Sequence, residues 1–320
     1  MDKTKRYGFA AFSIKAVEAL KAEFGADNVE VRDIVRNNGV HLTGVSVSGT
    51  ENDTCLAATV YLDFGYADYI EHGDFDTVVN SMINMLKEKV TLKDLGLQSI
   101  DDLRSYESIK GFILPTLINK KMNEEMLRTI PNKDYLDMSI IYKLYLEIDK
   151  NGAHTITINN RLMEIWGISL DELHNMAIDN LKSKKSEIAK PVVTEMKELI
   201  VNMLSNNNSS VETLNLVRAL FEKDEQEMYV VTSTKMISGN ALLLNDDFVK
   251  ELNKRFTGKV YCIPSSVDEW ILLVSNYEIS IDERDSLNEL IRSINKEELN
   301  AESVLSDHLY VLGEKSLEIA

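Results

Sequence analysis

Apolar and polar residues alternate most regularly between Leu136 and Ile148, where every second position is apolar. A period of two residues is that of a β-strand with one buried face. The Asn151-Gly152 pair that follows tolerates the positive φ angles of a tight turn, and residues 154–158 alternate again. The pattern therefore predicts a long β-hairpin over residues 136–158.

Apolar residues at helical spacing separate further strands along the chain. Residues 75–90 have the spacing of an amphipathic helix. Capping boxes begin two more helices, because in Ser169-Leu-Asp-Glu172 and Ser280-Ile-Asp-Glu283 the serine and the glutamate can satisfy each other's backbone amides. Towards the C-terminus, residues 228–234 and 241–244 predict a pair of strands before a helix that Asn245 caps.

Paired strands followed by a helix recur along the sequence. Because hairpins outnumber β-α-β units, we expect an α+β fold of mainly antiparallel hairpins with amphipathic helices, in recurring strand-strand-helix units. The polar run at 205–210 is the one clearly linker-like stretch. We expect an N-terminal α+β unit over 1–95, a central α+β unit over 96–206, a linker with room for a helix over 207–227 and a C-terminal α+β unit over 228–320.

The charge balance narrows the set of partners. The chain has 52 acidic and 35 basic residues and a formal net charge of −17. Binding to nucleic acid or to an anionic membrane draws on clustered Lys and Arg, so neither is an expected partner. No apolar run reaches the roughly 20 residues that span a bilayer, and the first residues lack a signal-peptide core. Cys55 and Cys262 lie among apolar neighbours, which favours buried thiols in a reducing compartment. We expect a cytoplasmic protein.

The sequence lacks the common motifs of cofactor and metal sites. It has no glycine-rich phosphate loop, no Gly-x-Ser-x-Gly elbow, no His-Glu-x-x-His pair and no Cys-x-x-Cys pair, so we expect no cofactor. The weak alternative is a metal at His72-Gly-Asp74-Phe-Asp76, where hard and nitrogen ligands are close together. Capping of the next helix by Asp74 explains the same residues without a metal, and we expect none.

Two segments near the C-terminus have the residue types of a hydrolytic site. Asp307 and His308 are adjacent, and a carboxylate can orient an imidazole, although neighbours on a strand point to opposite faces. Ser265 and Ser266 follow Pro264 and would supply the nucleophile if the fold brought them to His308. The alternative is that both segments are ordinary turns beside strands.

Three further residues are candidates for binding. Trp166 and Trp270 occupy patterned apolar positions, which favours core packing, but large aromatic side chains also serve as contact residues. Asp137 lies opposite the apolar stripe of its predicted strand, where it is either exposed or a polar contact.

Several extended segments carry a resemblance to a known family. They are Ala58–Leu62, Ile130–Asp137, Leu162–Ser169, Met228–Thr232, Cys262–Ser266 and Leu305–His308. In these segments the chain resembles a bacterial family known mainly from clostridial-type Firmicutes and catalogued as a domain of unknown function. The resemblance covers most of the chain, and it implies no activity, cofactor or catalytic residue.

The absence of a catalytic motif favours a non-enzymatic, cytoplasmic protein-binding module. The alternative is a hydrolase whose site is formed by the 264–266 turn and Asp307-His308. A weaker alternative is an acidic mimic of nucleic acid, which would need a stripe of negative charge. The sequence does not determine the oligomeric state.

Overall fold

A computed structural model describes residues 6–47, 59–87, 100–149, 152–200 and 227–320. The chain divides into two compact units, Met1–Ser108 and Ile109–Ala320. Strands within each unit pair antiparallel, and helices pack beside the sheets, so the expected α+β fold is confirmed. No helix in the described part of the chain is long and apolar enough to cross a bilayer.

The first unit contains a small antiparallel sheet of strand order β1-β2-β3 and a group of helices. Phe12 and Leu20 of the first helix are fully buried, as is the face of α3 that carries Val79 and Met82. The elements are α1 Phe9–Phe24, β1 Val29–Val35, β2 His41–Val47, β3 Thr59–Tyr61, α2 Leu62–His72, α3 Phe75–Lys87 and α4 Ile100–Arg104. Strands β1 and β2 form a hairpin whose turn places Asn38 and Gly39 at φ 60° and 69°.

The second unit contains the two larger sheets. One has strand order β4-β6-β5, with β7 also paired to β6, and the other has order β13-β12-β10-β11-β9-β8. The strands are β4 Ile113–Asn119, β5 Asn132–Tyr135, β6 Met138–Asp149, β7 Gly152–Thr157, β8 Pro191–Glu195, β9 Glu227–Ser233, β10 Lys259–Pro264, β11 Glu269–Ser275, β12 Tyr310–Leu312 and β13 Leu317–Ile319. Helix α5 Tyr106–Ile109 spans the boundary between the two units in the sequence, and it is followed by α6 Glu124–Leu127, α7 Asn160–Trp166, α8 Leu170–Ser183, α9 Asp246–Arg255 and α10 Ile281–Glu297.

The long hairpin is confirmed, but its first strand begins later than predicted. Strand β6 starts at Met138, because Leu136 and Asp137 form the turn that connects it to β5. Strand β6 is also buried on both faces. Tyr142 on one face hydrogen-bonds His174 of α8, and Tyr145 on the other hydrogen-bonds Ser238. The alternation therefore does not mark a solvent-exposed face, since Ser139 at one of its polar positions is fully buried.

Both predicted capping boxes are confirmed, at Ser169 and at Ser280. The predicted strand at 241–244 is wrong, because residues Gly239–Leu244 form a 3₁₀ helix. The Asn240 side chain accepts from the Leu117 amide at 3.2 Å and donates to the Leu117 carbonyl at 2.8 Å. These bonds hold the segment against β4 with its apolar residues buried. A short apolar run in the sequence does not distinguish such a helix from a strand.

Residues 109–206 of the expected central unit and the whole expected C-terminal unit lie within Ile109–Ala320, whereas residues 96–108 lie within Met1–Ser108. Strand β8, from the expected central unit, pairs with β9, from the expected C-terminal unit, in one six-stranded sheet. The expected linker at 207–227 lies outside the described residues, except that Glu227 begins β9. The hairpin turn at 150–151 and Cys55 also lie outside them.

Candidate functional site

Asp137 occupies a two-residue turn between β5 and β6. Tyr135 pairs with Met138, which leaves Leu136 and Asp137 as the turn. Leu136 has a φ of 58°, in the left-handed region that glycine adopts most readily. A side chain in this region costs about 1–2 kcal/mol, and such strained positions occur where surrounding structure fixes the backbone. The turn places the carboxylate of Asp137 beside the segment that leads into β12.

Side chains of other elements fix residues 305–308. The Asn119 amide donates to the Leu305 carbonyl at 3.2 Å. The Asn295 amide of α10 donates to the Ser306 carbonyl at 2.9 Å and to Asp307 Oδ1 at 2.8 Å. Within the segment, the backbone amide of His308 donates to Ser306 Oγ at 3.0 Å. The backbone that carries Ser306 and His308 is therefore held from two sides.

The Asp137 carboxylate is the centre of a hydrogen-bond network. Its Oδ2 accepts from Ser306 Oγ at 2.7 Å and contacts His308 Nδ1 at 3.0 Å. Its Oδ1 accepts from the Tyr310 hydroxyl. The Tyr310 hydroxyl also lies 2.6 Å from Ser306 Oγ. One carboxylate therefore meets two hydroxyls and one imidazole from a short segment that is far away in sequence.

The surroundings keep Asp137 ionised. Burial raises its pKa, but the hydrogen bonds from Ser306, Tyr310 and His308 outweigh that effect, so its pKa lies below the ordinary value. Burial, followed by the neighbouring Asp137 carboxylate, raises the pKa of Tyr310. At neutral pH the pair is thus a carboxylate and a protonated phenol, and the phenol can only stabilise the charge as a donor.

His308 is the most exposed member of the network. Ser306 and Tyr310 are fully buried, whereas the side chains of Asp137 and His308 are 25% and 44% exposed. An ionised carboxylate only accepts hydrogen bonds, so Nδ1 of His308 must carry the proton that faces Asp137. Neutral His308 then has its lone pair on Nε2, which has no hydrogen-bond partner among the described residues. A base held by a carboxylate in this way is suited to proton transfer.

A second Asp-His pair in the first unit shows what is distinctive here. His41 Nδ1 lies 2.9 Å from Asp33 Oδ2, but these side chains are 60% and 68% exposed. No other described side chain donates to Asp33. Exposed ion pairs contribute little and hold their partners loosely. The Asp137–His308 pair differs because buried hydroxyls fix its carboxylate.

The candidate hydrolytic residues are only partly brought together. The Asp307 carboxylate contacts Asn295, and the His308 ring contacts Asp137 instead. Cys262 of β10 pairs with Tyr310 of β12, so the 264–266 turn follows the strand beside His308. In the described structure, however, the hydroxyl of Ser265 donates to Glu269 at 2.9 Å, and that of Ser266 accepts from the Asp268 amide at 3.0 Å. Neither hydroxyl contacts His308.

The two tryptophans are buried. Trp270 is inaccessible, its indole N–H donates to the Asn240 carbonyl at 2.9 Å, and its ring packs edge-on against Tyr310 with centroids 5.7 Å apart. Trp166 ends α7 and is nearly fully buried. Trp270 therefore packs against the Tyr310 ring of the network and has no exposed surface for a ligand.

The residues of the weak metal candidate have local partners. Asp74 caps α3, because its carboxylate accepts from the Asp76 amide at 3.1 Å and from the Thr77 hydroxyl at 2.6 Å. His72 Nδ1 contacts the Asp68 carbonyl at 3.1 Å. Across the described ranges, no three His, Cys, Asp or Glu side chains converge as metal ligands would.

The thiol of Cys262 is not suited to act as a nucleophile, because burial raises its pKa.

Sequence reasoning singled out Asp137 and His308 separately but not as partners. They are 171 positions apart, and no spacing rule connects a turn residue to a segment that far away. It missed Tyr310 altogether, because a tyrosine in an apolar strand indicates core packing. The one signal available was a carboxylate placed beside a buried strand.

Comparison with known proteins confirms the likeness to a family of unknown function. The model of such a family, DUF5688, matches residues 9–312. No curated protein matches the chain, and no solved structure does so.

Proposed function

The chain belongs to DUF5688, a family of unknown function, and we propose from its geometry that Asp137 and His308 form a general-base centre for hydrolysis. In this proposal Nε2 of His308 activates a water molecule, and the substrate is a neutral carboxylic ester or amide. The proposal takes up the alternative of a hydrolase that the sequence left open, with Asp137 in place of Asp307 as the carboxylate that orients His308.

One observation carries the proposal. His308 Nδ1 lies 3.0 Å from Asp137 Oδ2, while buried Ser306 and Tyr310 hold the same carboxylate. A purely structural ion pair does not require its imidazole to reach solvent, yet this side chain is 44% exposed. Orientation of a base by a fixed carboxylate is the arrangement that general-base catalysis uses.

Water is the proposed nucleophile because each nearby hydroxyl has another partner. Ser306 Oγ donates a hydrogen bond to Asp137 and accepts one from the backbone amide of His308. Ser265 and Ser266 contact Glu269 and Asp268 within their own turn. A serine nucleophile would need to hydrogen-bond Nε2, and none of these does so.

The reaction proceeds in two proton transfers. Nε2 of His308 accepts a proton as the oxygen of water bonds to the carbonyl carbon, and the carbonyl π electrons move to its oxygen. When the tetrahedral intermediate collapses, the bond to the leaving oxygen or nitrogen breaks and the imidazolium returns the proton to that atom. Asp137 remains ionised and stabilises the imidazolium in between.

The charge of the chain favours an uncharged substrate. A formal net charge of −17 repels anionic substrates such as phosphate esters over the range of the Debye length. A neutral acyl compound does not meet this repulsion. Protein binding and mimicry of nucleic acid remain predictions that would explain the chain if it has no such activity.

The test is hydrolysis of 4-nitrophenyl acetate, 4-nitrophenyl butyrate and the corresponding anilides by three proteins. We expect the wild-type chain to be active and His308→Gln to lose about 100-fold or more. His41→Gln removes the ring of the exposed pair and should retain wild-type activity. Activity that falls equally in both variants would come from unselective surface imidazoles and would contradict the proposal. An inactive wild-type chain would also contradict it and would favour the protein-binding interpretation.

A further inference from the structure

We infer that a pocket at the end of α9 binds a small zwitterion of amino-acid type, with its carboxylate on Arg255 and its ammonium on Glu227. The pocket has a volume of about 290 Å³ and lies where the start of β9, the end of β11 and the C-terminal end of α9 meet. At ~30 Å³ per water molecule this is the space of roughly ten waters, which suits a ligand of metabolite size.

Arg255 is held in place by two aromatic rings. Its guanidinium carbon lies 5.3 Å from the ring centroid of Tyr229 and 5.2 Å from that of Phe256. These two rings pack against each other with centroids 4.6 Å apart. A guanidinium that lies over aromatic rings can keep its N–H edges available, and these edges bind a carboxylate through two hydrogen bonds.

Arg255 has no carboxylate partner among the residues that the structure describes. No acidic side chain in the described part of the chain forms an ion pair with it, although acidic residues outnumber basic ones by 52 to 35. Lys250 of the same helix behaves differently, since it pairs with Asp246 at 3.1 Å and with Asp247 at 2.9 Å. A positioned but unpaired guanidinium in an acidic protein indicates an anionic group supplied from outside.

Glu227 provides the opposite charge on the same pocket wall. Its Oε2 accepts from the Tyr229 hydroxyl at 2.7 Å. Burial, followed by this hydrogen bond and the charge of Glu227, raises the pKa of Tyr229 to about 12, so the phenol remains a donor at neutral pH. Tyr229 thus touches both charged groups, with Arg255 over its ring and Glu227 at its hydroxyl. The second oxygen of Glu227 is available for a ligand cation.

The two charges together select the ligand class. A simple carboxylate or phosphate would be repelled by Glu227, and a simple amine by Arg255. The nearby Glu195 and Lys197 compensate each other in an ion pair of 2.9 Å, so they add no net charge. The polar residues Thr257 and Asn276 also line the pocket. A molecule with both signs of charge at a short separation satisfies the whole set.

The experiment is titration calorimetry of the full chain with each standard L-amino acid at up to about 10 mM. We expect at least one to bind with a Kd of about 1 mM or tighter. Matched analogues then separate the two charges. Propionate and ethylamine accompany L-alanine, and 3-phenylpropionate and phenethylamine accompany L-phenylalanine. Each single-charge analogue should bind at least about tenfold more weakly than its amino acid.

Variants assign the binding to this pocket. Glu227→Gln and Arg255→Lys should each weaken the tightest amino acid about tenfold or more, and thermal unfolding checks that both variants fold. Asn253→Ala, on the same helix but outside this pocket, should bind as wild type does. Failure of every amino acid to bind, or binding that both pocket variants leave unchanged, would overturn the inference. No step depends on hydrolysis, so this result is independent of the Asp137–His308 proposal.

Discussion

Replacement of Asp137 by alanine removes the acceptor that joins two hydroxyls and an imidazole. Hydrogen bonds to a charged group contribute about 1.5–3 kcal/mol each, and three such bonds would suggest a very large loss. The structure indicates a smaller loss of stability than this sum, because the former partners of Asp137 have other hydrogen bonds available. The Tyr310 hydroxyl lies 2.6 Å from Ser306 Oγ, so these two groups can still bond each other, and the exposed His308 ring can turn to water.

One buried hydroxyl hydrogen is then left without an acceptor, which costs about 1–3 kcal/mol. Loss of the charge-assisted bonds adds to this, while release of the partly buried charge offsets part of it. We expect Asp137→Ala to lower the free energy of unfolding by about 2–4 kcal/mol. The control is Asp307→Ala, because Asp307 is exposed and its carboxylate accepts from Asn295 alone among the described residues. That variant should lose about 1 kcal/mol or less.

The assay is urea unfolding followed by tryptophan fluorescence. Both tryptophans of the chain, Trp166 and Trp270, lie in the second unit, so the signal follows the unit that contains the site. Trp270 also packs against Tyr310, which makes it sensitive to the network itself. A loss below about 0.5 kcal/mol for Asp137→Ala, or an equal loss for both variants, would refute the reasoning, because it would mean that the network does not hold the segment.

Three further predictions concern the same unit. The stability that Asp137 contributes should be present above the unfolded carboxyl pKa of about 3.9 and should be lost as the pH falls through its lower folded pKa. The free energies of unfolding of the wild type and Asp137→Ala, measured in urea at a series of acidic pH values, should therefore converge. A difference that stays constant with pH would contradict the assignment. Asn240→Ala should cost about 2–4 kcal/mol, because it orphans buried backbone and hydroxyl groups of β4; a loss under about 1 kcal/mol by the same assay would show that β4 does not depend on it. Ser280→Ala removes a capping box and should cost about 1 kcal/mol, whereas Ser286→Ala within the same helix should cost less, and equal losses would argue against the cap.

Local features of the fold were predictable because their physics is local. Ser169 and Ser280 cap helices through residues only three positions away, and the Asn38-Gly39 turn uses backbone freedom that these residues bring with them. The hairpin of β6 and β7 follows from alternation on adjacent segments. Such elements can be predicted from a short window because their stabilising contacts lie inside it.

Features that depend on distant contacts were not predictable. The segment at Gly239–Leu244 has the composition of a strand, but the Asn240 side chain hydrogen-bonds to β4 and the segment forms a 3₁₀ helix. Strand β6 begins later than predicted because Leu136 adopts a positive φ, and an apolar residue type gives no indication of this conformation. The candidate site has the same origin. Asp137 and His308 could be named as polar residues at unusual positions, but their partnership is a property of the tertiary fold.

The most direct measurement is the tautomer of His308, read from long-range ¹H–¹⁵N correlations of its ring by NMR. The chain has five histidines, and His308→Gln identifies the signal. We predict that neutral His308 carries its proton on Nδ1, with Nε2 unprotonated, and that Asp137→Ala shifts it toward the Nε2–H form. A wild-type ring protonated on Nε2, or one whose tautomer is the same in both proteins, would contradict the claim that Asp137 holds His308 as a base.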